Sequence, residues 1–124
     1  MKNLIYLIAP LLVISCATLK QKDQGYNGTW ILQQQSGGFA GMTIKPDKET
    51  KLIIKGDKLK RYIDGKITSE EPFKIEKAKV IHSTEPQDVI VSNKLMKEAI
   101  MVKGDTLIIL QQCYDCYTFM YVRK

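Results

Sequence analysis

Metal ligands are scarce in this chain. One histidine, His82, and three cysteines in 124 residues are too few for a zinc site of four cysteines, or of two cysteines and two histidines, within one copy. Long apolar runs are missing too: none reaches the roughly 18 residues that read as a membrane-spanning helix. Like charges never gather into a block of about five or six, and basic residues are not interleaved with aromatics, which excludes nucleic acid as a partner. There is no internal repeat and no low-complexity segment. What is present, 44% hydrophobic and 26% charged residues, has the balance of one folded domain.

The amino terminus reads as an address. Met1, Lys2 and Asn3 precede an apolar run over residues 4–14, and Ser15-Cys16 follows. One positive charge ahead of a short apolar core is the pattern of a secretory signal peptide. Val13-Ile14-Ser15-Cys16 resembles the lipobox of bacterial lipoproteins: an aliphatic residue three places before the cysteine, a small residue just before it, then the cysteine. The resemblance implies removal of residues 1–15, diacylglycerol on the Cys16 sulfur, and a fatty acid such as palmitate on the new amino terminus. Two or three acyl chains anchor firmly where one binds only marginally, so the implied partner is a membrane. The alternative is an ordinary secreted protein in which Cys16 is coincidental. In diderm bacteria an aspartate after the lipidated cysteine retains lipoproteins in the inner membrane; Ala17 stands there, which resembles outer-membrane sorting. Whether the domain then faces the periplasm or the outside is open. Loss of residues 1–15 removes one lysine and takes the formal charge from +6 to +5. That surplus is scattered, as on a solvated surface.

Residues 16–27 are polar and read as a flexible tether. The domain spans residues 28–124, and its texture is β. Short segments rich in strand formers lie at residues 29–33, 51–55, 59–63, 66–68, 73–75, 80–82, 89–92, 99–102, 106–110 and 117–122. Gly37-Gly38, Gly56-Asp57, Asp64-Gly65 and Gly104-Asp105 punctuate them as turns. Asp64-Gly65 is a type I′ signal, since both central residues of that turn need positive φ. Residues 92–101 fit either a helical turn through Leu95, Met96 and Ile100 or an exposed strand. Sequential hairpins predict an up-and-down antiparallel meander of about eight strands, closed into a small β-barrel that leaves no sticky edges.

Gly28-Thr29-Trp30 opens the first strand and Tyr121-Val122-Arg123 closes the last. With the Gly-Gly-x-x-Gly turn of Ser36-Gly37-Gly38-Phe39-Ala40-Gly41 and the ending Thr106-Leu107-Ile108-Ile109-Leu110, this resembles the lipocalin-like domain of bacterial lipoproteins. The resemblance implies that Trp30 and Arg123 form a barrel-closing pair. Side chains alternate along a strand, so Tyr117, Phe119, Tyr121 and Arg123 share one face. With Arg123 over Trp30, that face points inward. Tyr117, Phe119 and Tyr121 then either line a site for a small hydrophobic or amphipathic ligand or simply fill the core. Phe39 is a further candidate for lining that site and, with Met42 on the same glycine-rich loop, for a lid over the open end.

Cys113-Tyr114-Asp115-Cys116 lies between two strands, away from any helix N-terminus that would lower a thiol pKa. In an oxidising envelope the leading expectation is a Cys113–Cys116 disulfide closing a short loop, with a redox role second. The family pattern has a glycine after the aspartate, where Cys116 stands. His82 and Ser83 are adjacent in a strand and point to opposite faces, and Glu70-Glu71 before Pro72 reads as a solvated turn or strand break. No catalytic group, metal ligand set or cofactor motif emerges. The expected function is therefore non-enzymatic: a membrane-anchored binder of a small hydrophobic or amphipathic ligand. The alternative is a cell-envelope protein-interaction module, an assembly factor or inhibitor, with a filled barrel. The anchor is tested by metabolic labelling with an alkynyl palmitate: the parent chain takes up label and sediments with membranes, and Cys16→Ser does neither. Equal labelling of both would remove the lipid.

Overall fold

The computed structural model describes residues 25–38, 41–93 and 97–124. Among these there is no helix, and the architecture is one antiparallel sheet. Its strands are β1 (Gly28–Gly37), β2 (Met42–Ile44), β3 (Thr50–Lys55), β4 (Lys58–Ile63), β5 (Lys66–Pro72), β6 (Lys74–Val80), β7 (Ser83–Val91), β8 (Glu98–Lys103), β9 (Thr106–Gln111) and β10 (Tyr117–Arg123). The order across the sheet is β5-β4-β3-β1-β10-β9-β8-β7-β6, with β2 attached to β1 beyond the end of β3. First and last strands thus lie side by side at the centre. Two arms of sequential hairpins flank them.

The turns follow from local chemistry. Lys55 pairs with Lys58, Ile63 with Lys66 and Lys103 with Thr106, so each hairpin closes over two residues. Asp64 and Gly65 have φ of 53° and 78°, both in the left-handed region that a type I′ turn needs. Val80 pairs with Ser83, which places Ile81 and His82 in an exposed turn rather than in the strand expected over 80–82. Strand β2 had no sequence signal. It is three residues long, and the Gly37-Gly38 turn folds it back on β1.

The expected closed barrel of about eight strands is corrected in two respects. There are ten strands among the described residues, and the ladder is not closed, because β5 and β6 sit at opposite ends of the strand order. Only Phe73 separates β5 from β6, too little chain for a hairpin between them. Pro72, lacking an N–H, ends β5. Phe73 then donates its N–H to the Asp57 carbonyl (2.8 Å) and buries its ring. The two edges of the sheet therefore meet at a chain corner, not through hydrogen bonds.

The sheet curls around that corner so that its arms face each other. Trp30, Leu32, Leu52, Ile54 and Leu59 from one arm pack in a single core with Ile90, Ile100, Leu107, Ile109 and Tyr121 from the other. Val89, Ala99 and Leu110, each one residue out of phase with that core, join Ala78 and Val80 in a smaller cluster on the opposite face of β6–β9. Pro86 falls in the part of β7 that has no pairing with β8, where its missing N–H costs nothing.

The seam between β1 and β10 is tied by side chains as well as by its ladder. Trp30 pairs directly with Arg123 and Leu32 with Tyr121, and a bulge at Gln33 then carries the ladder on to Gly37. The Arg123 guanidinium lies 4.2 Å from the centre of the fully buried Trp30 ring. Its Nη1 and Nη2 donate to the carbonyls of Asn27 and Gly25, both at 2.8 Å. Trp30 Nε1 donates to the Tyr26 carbonyl (2.8 Å), and Asn27 Oδ1 accepts from the Gly56 N–H (3.0 Å). Gly25, Tyr26 and Asn27, expected to close the tether, are instead fastened across the end of the sheet. Gly28 makes room for this arrangement: at φ 144° its hypothetical Cβ would sit 2.6 Å from Arg123 Nη1.

A guanidinium over an indole contributes roughly 0.5–2 kcal/mol, and each hydrogen bond from a charged donor about 1.5–3 kcal/mol at full burial. Arg123 is one-third exposed, so the lower ends, about 3.5 kcal/mol for the three contacts together, are reduced further by solvent screening. Arg123→Ala is expected to lower the unfolding free energy by about 2–3 kcal/mol. Arg123→Lys should restore less than half, because an ammonium cannot stack and fork at once. Urea denaturation measures both; a loss under about 0.5 kcal/mol for Arg123→Ala, below the weakest cation–π contact, would show that the pair is ornamental.

Candidate functional site

The inner face of the sheet is largely apolar, and its charged side chains fall in two regions, of which the first gathers around Arg61. On β4, Arg61 pairs with Leu52 and alternates with Leu59, so it points inward. On β5, Ser69 pairs with Arg61 and Glu71 with Leu59, which turns both inward as well. Across the interior, Glu98 pairs with Ile90 and Gln111, and Tyr121 with Leu32 and Leu107. The curl of the sheet brings these five residues together.

Arg61 Nη2 lies 3.8 Å from Glu71 Oε1 and 3.8 Å from Glu98 Oε1. Both separations give Coulomb attraction but exceed hydrogen-bond length. The Arg61 Nε and Nη2 atoms and the Ser69 hydroxyl are buried without a hydrogen-bond partner. An unmatched buried polar group costs about 1–3 kcal/mol, so three such atoms side by side are unusual for a region that serves packing alone. The side chains of Arg61, Glu71 and Glu98 keep 23%, 15% and 10% of their surface, so solvent reaches the cluster. Burial pushes the Tyr121 hydroxyl above its ordinary pKa; the charge of Arg61 and a hydrogen bond from its side chain oppose that rise, and the charge of Glu98 adds to it.

The apolar rim continues along the inner face. Phe119 packs against the core beside Tyr121, and Tyr117, two residues nearer the strand's start, is 37% exposed. Gly37 pairs with both Met42 and Tyr117, and Gln35 with both Ile44 and Phe119. Met42 and Ile44 therefore share the face of the two aromatics, and both are exposed. Cys113 and Cys116 form a disulfide with Cα atoms 5.2 Å apart, in the turn ahead of Tyr117. The Gly38 N–H donates to the Cys116 carbonyl at 3.4 Å, and a Cβ on Gly37 would collide with the same oxygen. The glycine-rich and cysteine-bearing turns thus pack together at one end of β1 and β10.

Of the residues singled out from sequence, Trp30 and Arg123 meet, Phe119 and Tyr121 face inward, Tyr121 beside Arg61, and Tyr117 stands at the rim. Cys16, Phe39, Leu95 and Met96 lie outside the described residues, and with them the anchor and most of the lid. Met42 is in β2. Glu70-Glu71 is not a turn: both residues are in β5, Glu70 outward at 3.8 Å from Lys58 and Glu71 inward. Residues 98–103 form strand β8. Arg61, Ser69, Glu71 and Glu98 were missed as site residues. A signal for the first did exist: Leu59-Lys60-Arg61-Tyr62-Ile63 alternates, and it sets a guanidinium in phase with two apolar residues. Among the described residues, no group of three or more His, Cys, Asp or Glu side chains could hold a metal ion. The chain matches no known family model, no curated protein and no solved structure.

A second polar contact ties the lead-in segment to the far arm. The Tyr26 hydroxyl donates to Asp88 Oδ2, and Lys77 Nζ lies 2.8 Å from Asp88 Oδ1. Burial raises the Asp88 carboxyl, but the Lys77 and Tyr26 hydrogen bonds and the Lys77 charge outweigh it and leave the group below its ordinary pKa. Burial above all, then the bond to Asp88 and its charge, pushes the Tyr26 hydroxyl far above its ordinary value.

Asp88 therefore adds stability that is full above its unfolded pKa of about 3.9 and fades as pH falls through the lower folded value. Tyr26 adds stability that is full below about pH 10 and fades as pH rises further. Urea midpoints should be level from about pH 5 to 9 and fall on both sides. Tyr26→Phe should weaken the alkaline fall, leaving the share due to Tyr121. An alkaline limb identical to that of the parent would contradict the assignment.

Proposed function

We propose that the chain is a lipid-anchored, non-enzymatic binding protein of the bacterial envelope. Its curled, lipocalin-like sheet takes up a small amphipathic molecule between its arms. The anchor rests on the lipobox-like Val13-Ile14-Ser15-Cys16 and the seam on the Gly28, Trp30 and Arg123 constellation. The observation that carries the binding role is the Arg61 guanidinium, set among apolar walls with two donor atoms unmatched. Recognition sites are mostly apolar, with a few placed polar groups that orient the ligand. Tyr121, Phe119 and the rim residues Tyr117, Met42 and Ile44 supply the apolar part. Arg61, Ser69, Glu71 and Glu98 supply the polar part. Ala17 after the lipidated cysteine favours the outer membrane.

The competing role, a protein-interaction module, has an observation of its own. Tyr114 is 94% exposed at the tip of the disulfide loop, and Ile63, Ile67 and Ile81 are also exposed. These side chains belong to separate elements, whereas the polar cluster is a single convergent site.

Trp30 is the only tryptophan and sits in the core with Tyr121, so its emission reports on the interior. Titration of the lipidated protein in phosphatidylcholine vesicles with N-phenyl-1-naphthylamine should quench Trp30 saturably, and Arg61→Gln should change the midpoint. Quenching that rises linearly and equally in both proteins would leave only partition into lipid.

A further inference from the structure

The polar cluster has a sign. One guanidinium faces two carboxylates, Glu71 and Glu98, at equal distances of 3.8 Å, so the formal charges sum to a net negative. The remaining groups, the Ser69 hydroxyl and the Tyr121 hydroxyl, are neutral and both can donate and accept; the second already bonds the Arg61 side chain. Trp30, Leu52, Leu59, Ile100, Leu107 and Ile109 on the same inner face bring no charge. Arg123 is spent on Trp30 and the carbonyls of Gly25 and Asn27, and Lys77 on Asp88.

A site of this composition rejects an anion. A carboxylate or phosphate brought up to Arg61 also comes up to two fixed negative charges, and like-charge juxtaposition in a partly desolvated site carries a heavy penalty. A purely apolar molecule fails for a different reason, since it leaves Arg61 Nε and Nη2 and the Ser69 hydroxyl unmatched. The complement is a group that offers an oxygen lone pair to Arg61 and N–H or O–H donors to the carboxylates, and that carries no negative charge.

We infer that the interior site selects amphiphiles whose head group is neutral or cationic and pairs an N–H donor with a carbonyl or hydroxyl acceptor, an amide or amino alcohol on an apolar chain, and discriminates against fatty-acid carboxylates and phosphates. Arg61 binds the acceptor, Glu71 and Glu98 bind the donors, and the excess negative charge sets the selectivity. The inference rests on the ligand-binding reading and specifies its ligand class.

The test uses three eight-carbon compounds of equal tail: octanamide, octylamine and octanoate. Each is titrated into the lipidated protein in phosphatidylcholine vesicles, followed by Trp30 emission, with protein-free vesicles giving the partition correction. Octanamide and octylamine should bind about ten-fold or more tightly than octanoate. Two variants move the sign of the site in opposite directions. Glu71→Gln with Glu98→Gln leaves Arg61 as the sole charge and should reverse the order of octylamine and octanoate. Arg61→Gln should abolish octanoate binding and strengthen octylamine. If the double variant does not fold, Arg61→Gln decides alone. Octanoate as the tightest ligand of the parent chain, or an order unmoved by the variants, overturns the inference and leaves ligand binding standing. Failure of all three compounds and of N-phenyl-1-naphthylamine to quench saturably overturns the binding reading, and the inference with it.

Discussion

The stacking of Arg123 on Trp30 is the constraint on which the rest of this sheet depends. The chain's ends must be held together at the centre of the strand order; of the other pairings only β1 with β3 skips a strand, and the rest join sequence neighbours. The β1–β10 ladder spans by far the most chain, and it carries the entropy cost of closing nearly the whole domain. One side chain secures it from three directions: the guanidinium covers the indole, and its two terminal nitrogens fasten the lead-in segment over the indole's edge. The backbone N–H of Arg123 also bonds the Asp105 carbonyl at 2.8 Å, which ties the seam to the β8–β9 turn. Gly28 is part of the same device, because only a residue without Cβ leaves the guanidinium its place.

With the seam fixed, the two arms have little choice but to curl toward each other. Pro72 and Phe73 turn the chain from one outer strand into the other, and apolar side chains from both arms drop into one core. The curl has a consequence for chemistry: inward positions far apart in sequence converge. Arg61 and Glu98 are neighbours only because β4 and β8 lie on opposite arms. A buried guanidinium with unmatched donors works against stability. It is the feature on which the proposed binding role rests.

Much of the architecture could be read from residues, and the reasons are local. Asp64-Gly65 announces its turn because few other residues accept positive φ twice in succession. Trp30 and Arg123, placed at the two ends of the domain, pointed to the seam. The strand count and the closure could not be read. β2 is only three residues long, and its pairing is imposed by the Gly37-Gly38 turn. The 80–82 segment has strand-like composition but is turned by its neighbours. The open ladder follows from a single residue between two strands, a geometric fact that composition does not register. The site was the least readable part. Glu71 looks like half of a solvated acidic pair, and its direction is decided by the register of β5 on β4. Glu98 stands beside residues 94–96, where helical and extended patterns compete. The inner aromatics Phe119 and Tyr121 were found because strand alternation extends inward from Arg123.

The account's central claim is that the donors of Arg61 face a bound molecule. The most direct measurement is a high-resolution crystal structure of the protein purified from its own envelope without exchange of bound lipid or metabolite. The account predicts electron density for an amphiphile within about 3 Å of Arg61 Nε and Nη2, with its tail against Phe119 and Tyr121. Arg61 hydrogen-bonded directly to both Glu71 and Glu98, in an interior filled by side chains, would contradict it.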